Sequence, residues 1–240
     1  MFVKVCGMRD ADNIREVAQL GVDALGFIFY PLSPRCVKEL EYGDSFTPAL
    51  VRGEVDMNVP RIGVFVDEDY DKVVVQTLRF SLNCVQLHGN ETREYCEDLR
   101  QCFKEVVNLF SEEALKNDPN AKPFEGRIQI IKAISVSSAE DILKYKEYVG
   151  AVDYFLFDTK CKTVGGSGEQ FDWSVLDAYD GDVPFILSGG IGPDDAERVK
   201  AFDHPMFGGI DINSKFEKEP GIKDVEKLKK FLSQVKNIKI

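Results

Sequence analysis

Short apolar runs recur along the chain, at Phe2 to Cys6, Ala24 to Phe29, Arg61 to Val66, Cys84 to Leu87, Ile128 to Ala133, Tyr154 to Phe157, Pro184 to Leu187 and Phe207 to Ile212. They are continuous rather than alternating, which is the pattern of strands buried on both faces and so of a parallel sheet covered by helices. Most are separated by segments of helical period. Between Asp10 and Leu20, the side chains of Ile14, Val17, Ala18 and Leu20 share one face, with Asp10 or Asp12 placed to cap and Gly21 to stop the helix. The same signals predict helices over Tyr70 to Phe80, Ala139 to Tyr148 (capped by Ser137 or Ser138), Pro193 to Phe202 and Asp224 to Val235, and a short one over Trp173 to Tyr179.

Eight strand and helix units in 240 residues match the size of a closed α/β barrel. The expected fold is therefore a single (β/α)8 TIM barrel with eight parallel strands, spanning 1–240 as one domain. An open doubly wound sheet would have fewer strands and a glycine fingerprint after the first. Two stretches exceed what the barrel requires, Glu39 to Pro60 and Val106 to Arg127. The second holds Asn117, Asp118, Pro119, Asn120 and Pro123, and reads as an irregular insertion at 106–127, away from the chemistry.

Charge narrows the partners. A formal charge of -11 leaves no basic stripe to neutralise a phosphate backbone or to dock on an anionic membrane, so neither nucleic acid nor membrane is expected. Six cysteines are scattered without a CxxC pair, and there are only two histidines, so no metal site is expected. Without a signal region or a long apolar run, the chain reads as cytoplasmic, with its thiols reduced.

In such a barrel the chemistry sits at the C-terminal ends of the strands. The strand ends supply Cys6 and Gly7, the loop from Phe29 to Arg35, Asp67, Gln86 to Gly89, Lys132, Asp158 and Thr159, Ser188 to Gly190, and Asp211, Asn213 and Ser214. Cys6 lies at the mouth of the first strand, where Lys4 or Arg35 could supply the cation that a thiolate needs. Asp158 closes an apolar strand, where partial loss of water would push its carboxyl upward, as suits a general acid. The run TVGGSGEQFDW from Thr163 to Trp173 reads as a mobile loop able to close over a ligand. SGGI at Ser188 to Ile191 and DINS at Asp211 to Ser214 end the seventh and eighth strands, where barrels bind phosphate through backbone N–H groups. Arg35 is a candidate clamp for a carboxylate, and His88 either a hydrogen-bond donor in the cleft or a structural histidine.

With KVCGM at Lys4 to Met8, GFIFYPLSPR at Gly26 to Arg35, VQLHG at Val85 to Gly89, FDT and GGSGEQFDW between Phe157 and Trp173, SGGI, DINS, and PGIKD at Pro220 to Asp224, the chain resembles the phosphoribosylanthranilate isomerases of tryptophan biosynthesis. The resemblance runs over nearly the whole chain. It implies a cofactor-free Amadori rearrangement of N-(5-phosphoribosyl)anthranilate, a small phosphosugar, by a monomer or homodimer. In it Asp158 is the general acid at the furanose oxygen and Cys6 the general base at C2. Arg35 holds the anthranilate carboxylate, Asp211 lies near the ribose hydroxyls, and Gly189, Gly190, Asn213 and Ser214 cradle the phosphate, with His88 a further substrate-binding candidate. The sequence departs from the family where Lys215, Phe216 and Glu217 replace a Gly-Val-Glu continuation. Another phosphosugar barrel, such as a histidine-pathway aminoaldose isomerase, and a non-catalytic phosphometabolite-binding barrel are the alternatives. Cys6, where such an isomerase would be expected to carry an aspartate, argues against the first, and Cys6 together with Asp158 argues against the second.

Overall fold

Eight strands pair in sequence order, and the last returns to the first. In the computed structural model, which describes residues 1–37, 59–117, 127–159 and 172–236, these are β1 (Phe2–Val5), β2 (Ala24–Ile28), β3 (Arg61–Phe65), β4 (Cys84–Leu87), β5 (Gln129–Val136), β6 (Tyr154–Thr159), β7 (Phe185–Ser188) and β8 (Phe207–Ile212). Every pairing is parallel, and β1 closes on β8 with Lys4 opposite Asp211. The barrel expected from the apolar runs is the architecture found.

Alternation along each strand divides the side chains between two layers. Val3 and Val5 point outward into the main core with Ile14 and Val17 of α1 (Ala11–Ala18), while Lys4 points into the barrel. Asp10 caps α1 by accepting the Asn13 N–H at 2.8 Å, and Gly21, with φ 73°, takes the left-handed turn that follows it. Helix α2 (Tyr70–Arg79) buries Val73, Val74 and Thr77. Within the barrel, Ala24, Ile62, Cys84, Ile131, Ala133, Leu156 and Ile186 form a separate apolar cluster at the N-terminal end.

The structure departs from the sequence expectations where helical type or extent is set by more than period. Val106 to Asn117, expected to be irregular, belongs to α3 (Arg93–Asn117), because no proline or glycine interrupts it before Pro119. Residues 118–126 lie outside the described residues, as do 38–58, which hold most of the other long stretch. The segment after β5 is a single turn, α4 (Ala139–Ile142), continued as a 3-10 helix over Leu143–Tyr148, and Trp173–Ala178 is 3-10 as well. Pro193–Asp195 forms a 3-10 turn before α5 (Ala196–Ala201). An antiparallel hairpin, β9 (Glu217–Glu219) with β10 (Ile222–Lys223), was too short to leave a period; it leads into α6 (Val225–Val235), which buries Leu228, Phe231, Leu232 and Val235.

Candidate active site

Above the apolar cluster the barrel interior turns polar within two residues along the strands. Lys4 of β1 reaches across to β4 and β8, donating to Gln86 Oε1 at 2.6 Å and to Asp211 Oδ2 at 3.0 Å. Burial alone would lower its ammonium, but the Asp211 carboxylate and the Cys6 sulfur outweigh it and hold Lys4 above its usual value, hence charged. The Gln86 amide nitrogen lies 3.0 Å from Nδ1 of His88, whose Nε2 lies 3.3 Å from Asp158 Oδ2. Asp158 is the fifth residue of the six in β6, held by the barrel rather than by a loop, and its side chain is 20% exposed. Among the described residues, its Oδ1 makes no hydrogen bond and Asp211 Oδ1 is buried without a partner.

Cys6, at the end of β1, is buried against Gly26. A Cβ on Gly26 would stand 2.8 Å from the sulfur and 2.9 Å from Cε of Lys4, so the thiol and the lysine stem fit only beside a glycine. Burial pushes the Cys6 thiol up and the Asp211 carboxylate adds to it, while the charges of Lys4 and Lys223 pull it down without cancelling the burial. Of the two cations considered from sequence, Lys4 is in contact. Lys223 was missed, because its place in PGIKD says nothing of the hairpin that folds it back beneath the site.

Arg35 is gripped from one side. Its Nε lies 2.9 and 3.0 Å from the two Glu217 oxygens and its Nη2 donates to Glu217 Oε2 at 2.6 Å. Glu217 also accepts from Lys223 Nζ at 2.6 Å, and Lys223 donates to Asn213 Oδ1 at 2.6 Å. Burial would raise the Glu217 carboxyl, but the hydrogen bonds from Arg35 and Lys223 prevail and hold it below the usual glutamate value. Glu217 is thus an anchor the sequence reading passed over as part of a divergent stretch. It leaves Arg35 Nη1 as the edge without a hydrogen bond among the described residues, and fixes its direction. Gly7, at φ 75°, lets these groups converge: a Cβ there would meet Asn213 Oδ1 at 2.7 Å and Arg35 Cδ at 2.8 Å.

Across the mouth, the turn after β7 is built of positive-φ glycines. A Cβ on Gly189, at φ 99°, would lie 2.0 Å from the Thr159 carbonyl oxygen, whereas one on Gly190, at φ 66°, would meet nothing within 4 Å. Among the described residues, nothing covers that side of Gly190. Asn213 and Ser214 begin the turn after β8, Ser214 and Lys215 are exposed, and the Lys215 stem runs beside Gly192. The structure thus joins Cys6 to Asp211 through Lys4, His88 to Asp158 directly, and Arg35 to Asn213 through Glu217 and Lys223. Most of the expected lid lies outside the described residues, which stop at Thr159 and resume at Asp172. Lys132, on the strand-end shortlist, serves the scaffold: it pairs with buried Glu91 at 2.7 Å and donates to the Gly89 carbonyl at 2.7 Å, under the turn that carries His88.

A parallel eight-stranded barrel with a buried thiol and a carboxylate in one polar layer at the C-terminal ends of its strands, and with a glycine turn after β7 beside the Asn213 and Ser214 turn after β8, has the architecture of an α/β-barrel enzyme. The model of the N-(5'-phosphoribosyl)anthranilate isomerase family matches residues 3–125 and 105–234, and the chain belongs to that family. It is 41% identical to the N-(5'-phosphoribosyl)anthranilate isomerase of Parabacteroides distasonis, over 98% of this chain and 93% of that one. Among solved structures, that of the Thermotoga maritima enzyme superposes with a TM-score of 0.72 at 30% identity, covering 99% of this chain and all of that one; the same enzyme is described elsewhere as dimeric. A phosphoribosylanthranilate isomerase bound to reduced 1-(o-carboxyphenylamino)-1-deoxyribulose 5-phosphate gives a TM-score of 0.70 at 28% identity, covering 99% of this chain and all of that one.

Proposed function

We propose that the protein isomerises N-(5'-phosphoribosyl)anthranilate to 1-(o-carboxyphenylamino)-1-deoxyribulose 5-phosphate, a step of tryptophan biosynthesis, by acid–base catalysis. The observation that carries this is the polar layer itself: a hydrogen-bonded chain runs from Lys4 through Gln86 and His88 to Asp158, and the Cys6 thiol packs beside Lys4 against Gly26. Asp158 gives its proton to the furanose oxygen as the bond from that oxygen to C1 breaks, and the anilino nitrogen supplies the pair that makes a C1 iminium. Cys6 takes the C2 proton as the thiolate, the form that the Lys4 and Lys223 charges favour against burial, and the electrons left behind form the C1–C2 double bond of a neutral enolamine. Gain of a proton at C1 and loss of the hydroxyl proton at C2 give the ketone, so no atom is gained or lost.

The remaining groups position the substrate at both ends. Arg35 Nη1 meets the anthranilate carboxylate, and the unpartnered Asp211 Oδ1 accepts from a sugar hydroxyl. The Gly189 and Gly190 turn with Asn213 and Ser214 takes the phosphate, with Lys215 adding charge at the rim. We read the chain as one catalytic domain acting in the cytoplasm, as a monomer or homodimer, on a small phosphosugar and without a cofactor. The test is loss of phosphoribosylanthranilate fluorescence on adding purified protein. A sustained, enzyme-dependent loss is expected, and none under saturating substrate would refute the reading.

A further inference from the structure

The hydrogen bonds of the polar layer have only one consistent direction. The Lys4 ammonium has donors alone, so the Gln86 atom 2.6 Å away is its carbonyl oxygen. The planar amide then turns its NH2, again a donor alone, toward Nδ1 of His88 at 3.0 Å. Nδ1 must be bare, so the ring carries its proton on Nε2 and gives that bond to Asp158 Oδ2 at 3.3 Å. A ring protonated on both nitrogens would set two donors against each other beside Gln86.

We propose that Lys4 and Gln86 are positioning residues that fix His88 as the Nε2–H tautomer, so that the proton Asp158 delivers is carried on Oδ1. Oδ2 faces an N–H and accepts from it. Oδ1, without a hydrogen bond among the described residues, is the oxygen left to carry the acid proton and meet the substrate. This rests on the reading of Asp158 as the acid, although the tautomer can be measured whether or not the protein turns over.

Histidine labelled with 15N reports the tautomer directly, and the chain has only two histidines. His204 is the internal standard: the Met206 N–H donates to its Nδ1 at 3.1 Å and its Nε2 faces the Tyr179 carbonyl at 3.2 Å, so it too is Nε2–H. At neutral pH both rings should show a protonated Nε2 and a bare Nδ1. In Gln86→Glu, a carboxylate can accept from both Lys4 and Nδ1–H while Asp158 Oδ2 still accepts from Nε2–H, so the His88 ring should gain a proton at Nδ1 while His204 is unchanged. With it kcat should fall about 10- to 100-fold, the usual cost of losing a group that orients a catalytic one, with KM little altered. A bare Nε2 or a doubly protonated His88 in the unaltered protein overturns the proposal, as does a protonated Nδ1 in Gln86→Glu with unchanged kcat. Should Gln86→Glu not fold, Gln86→Met should give a mixture of tautomers at His88, and a pure Nε2–H ring in that variant overturns the role of Gln86. Absence of isomerase activity with an Nε2–H His88 would refute the function and leave the tautomer assignment standing.

Discussion

The two halves of the barrel interior are built on the same strands and differ completely in chemistry. In β4, Cys84 belongs to the lower apolar cluster, and Gln86, the next inward residue, to the polar layer. In β6, Leu156 and Asp158 stand in the same relation. The lower half surrounds a cavity of about 300 Å3 lined largely by apolar groups such as Phe2, Ile62, Cys84 and Ile186. The upper half is filled by hydrogen-bonded and charged groups, with Lys4 at 0% exposure. A step of two residues along a strand thus separates side chains that hold the barrel from side chains that act on a ligand.

The largest effect that would test this division is on turnover. Cys6→Ser and Asp158→Asn are each expected to lower kcat by about 100-fold or more, the size of a lost acid or base. Their melting temperatures should stay close to that of the unaltered protein in a thermal scan. Full activity in either variant would remove the role given to that residue. Leu156→Ala, one layer below Asp158, should do the reverse. Denaturant unfolding should show a loss of about 2–5 kcal/mol, with kcat per folded molecule unchanged. Cys84→Ser repeats the Cys6 substitution in the lower layer. There the thiol is pushed up to about 12 by burial, and an added hydroxyl should cost about 1–3 kcal/mol and no activity.

The smallest effect concerns acid. Glu217 is held below its usual value, so its ionised form supports the folded state above the unfolded glutamate value of about 4.3, and that support fades as pH falls toward its lowered folded value. Stability measured across that window should fall less steeply in Glu217→Gln than in the unaltered protein. An identical slope would show that the grip on Arg35 contributes nothing to acid stability.

The barrel was legible in the sequence because burial on both faces writes continuous apolar runs, and Cys6, Asp158 and the turns after β7 and β8 were legible because strand ends are where this fold places its chemistry. The connections among them were not. Lys4 interrupts an apolar run, and nothing local shows that it spans to Gln86 and Asp211; that depends on closure of β1 against β8 and on the width of the barrel. Glu217 and Lys223 were illegible for a similar reason, since a hairpin of five residues between its outer limits and a two-residue strand leaves no period to read. Val106 to Asn117 reads as irregular from the prolines and asparagines that follow it, but those twelve residues carry no breaker of their own and continue α3.

The amide of Gln86 has one more consequence. A carboxamide can hold two neighbours in register, but it cannot take up a proton on one side and release it on the other without becoming an imidic acid. The chain from Lys4 to Asp158 is therefore an insulator as well as a brace. A hydrogen gathered by Cys6 has no route along these bonds to the carboxylate that has just given one away, and under the proposed reaction the two are restored separately, through the departing product or the water that replaces it.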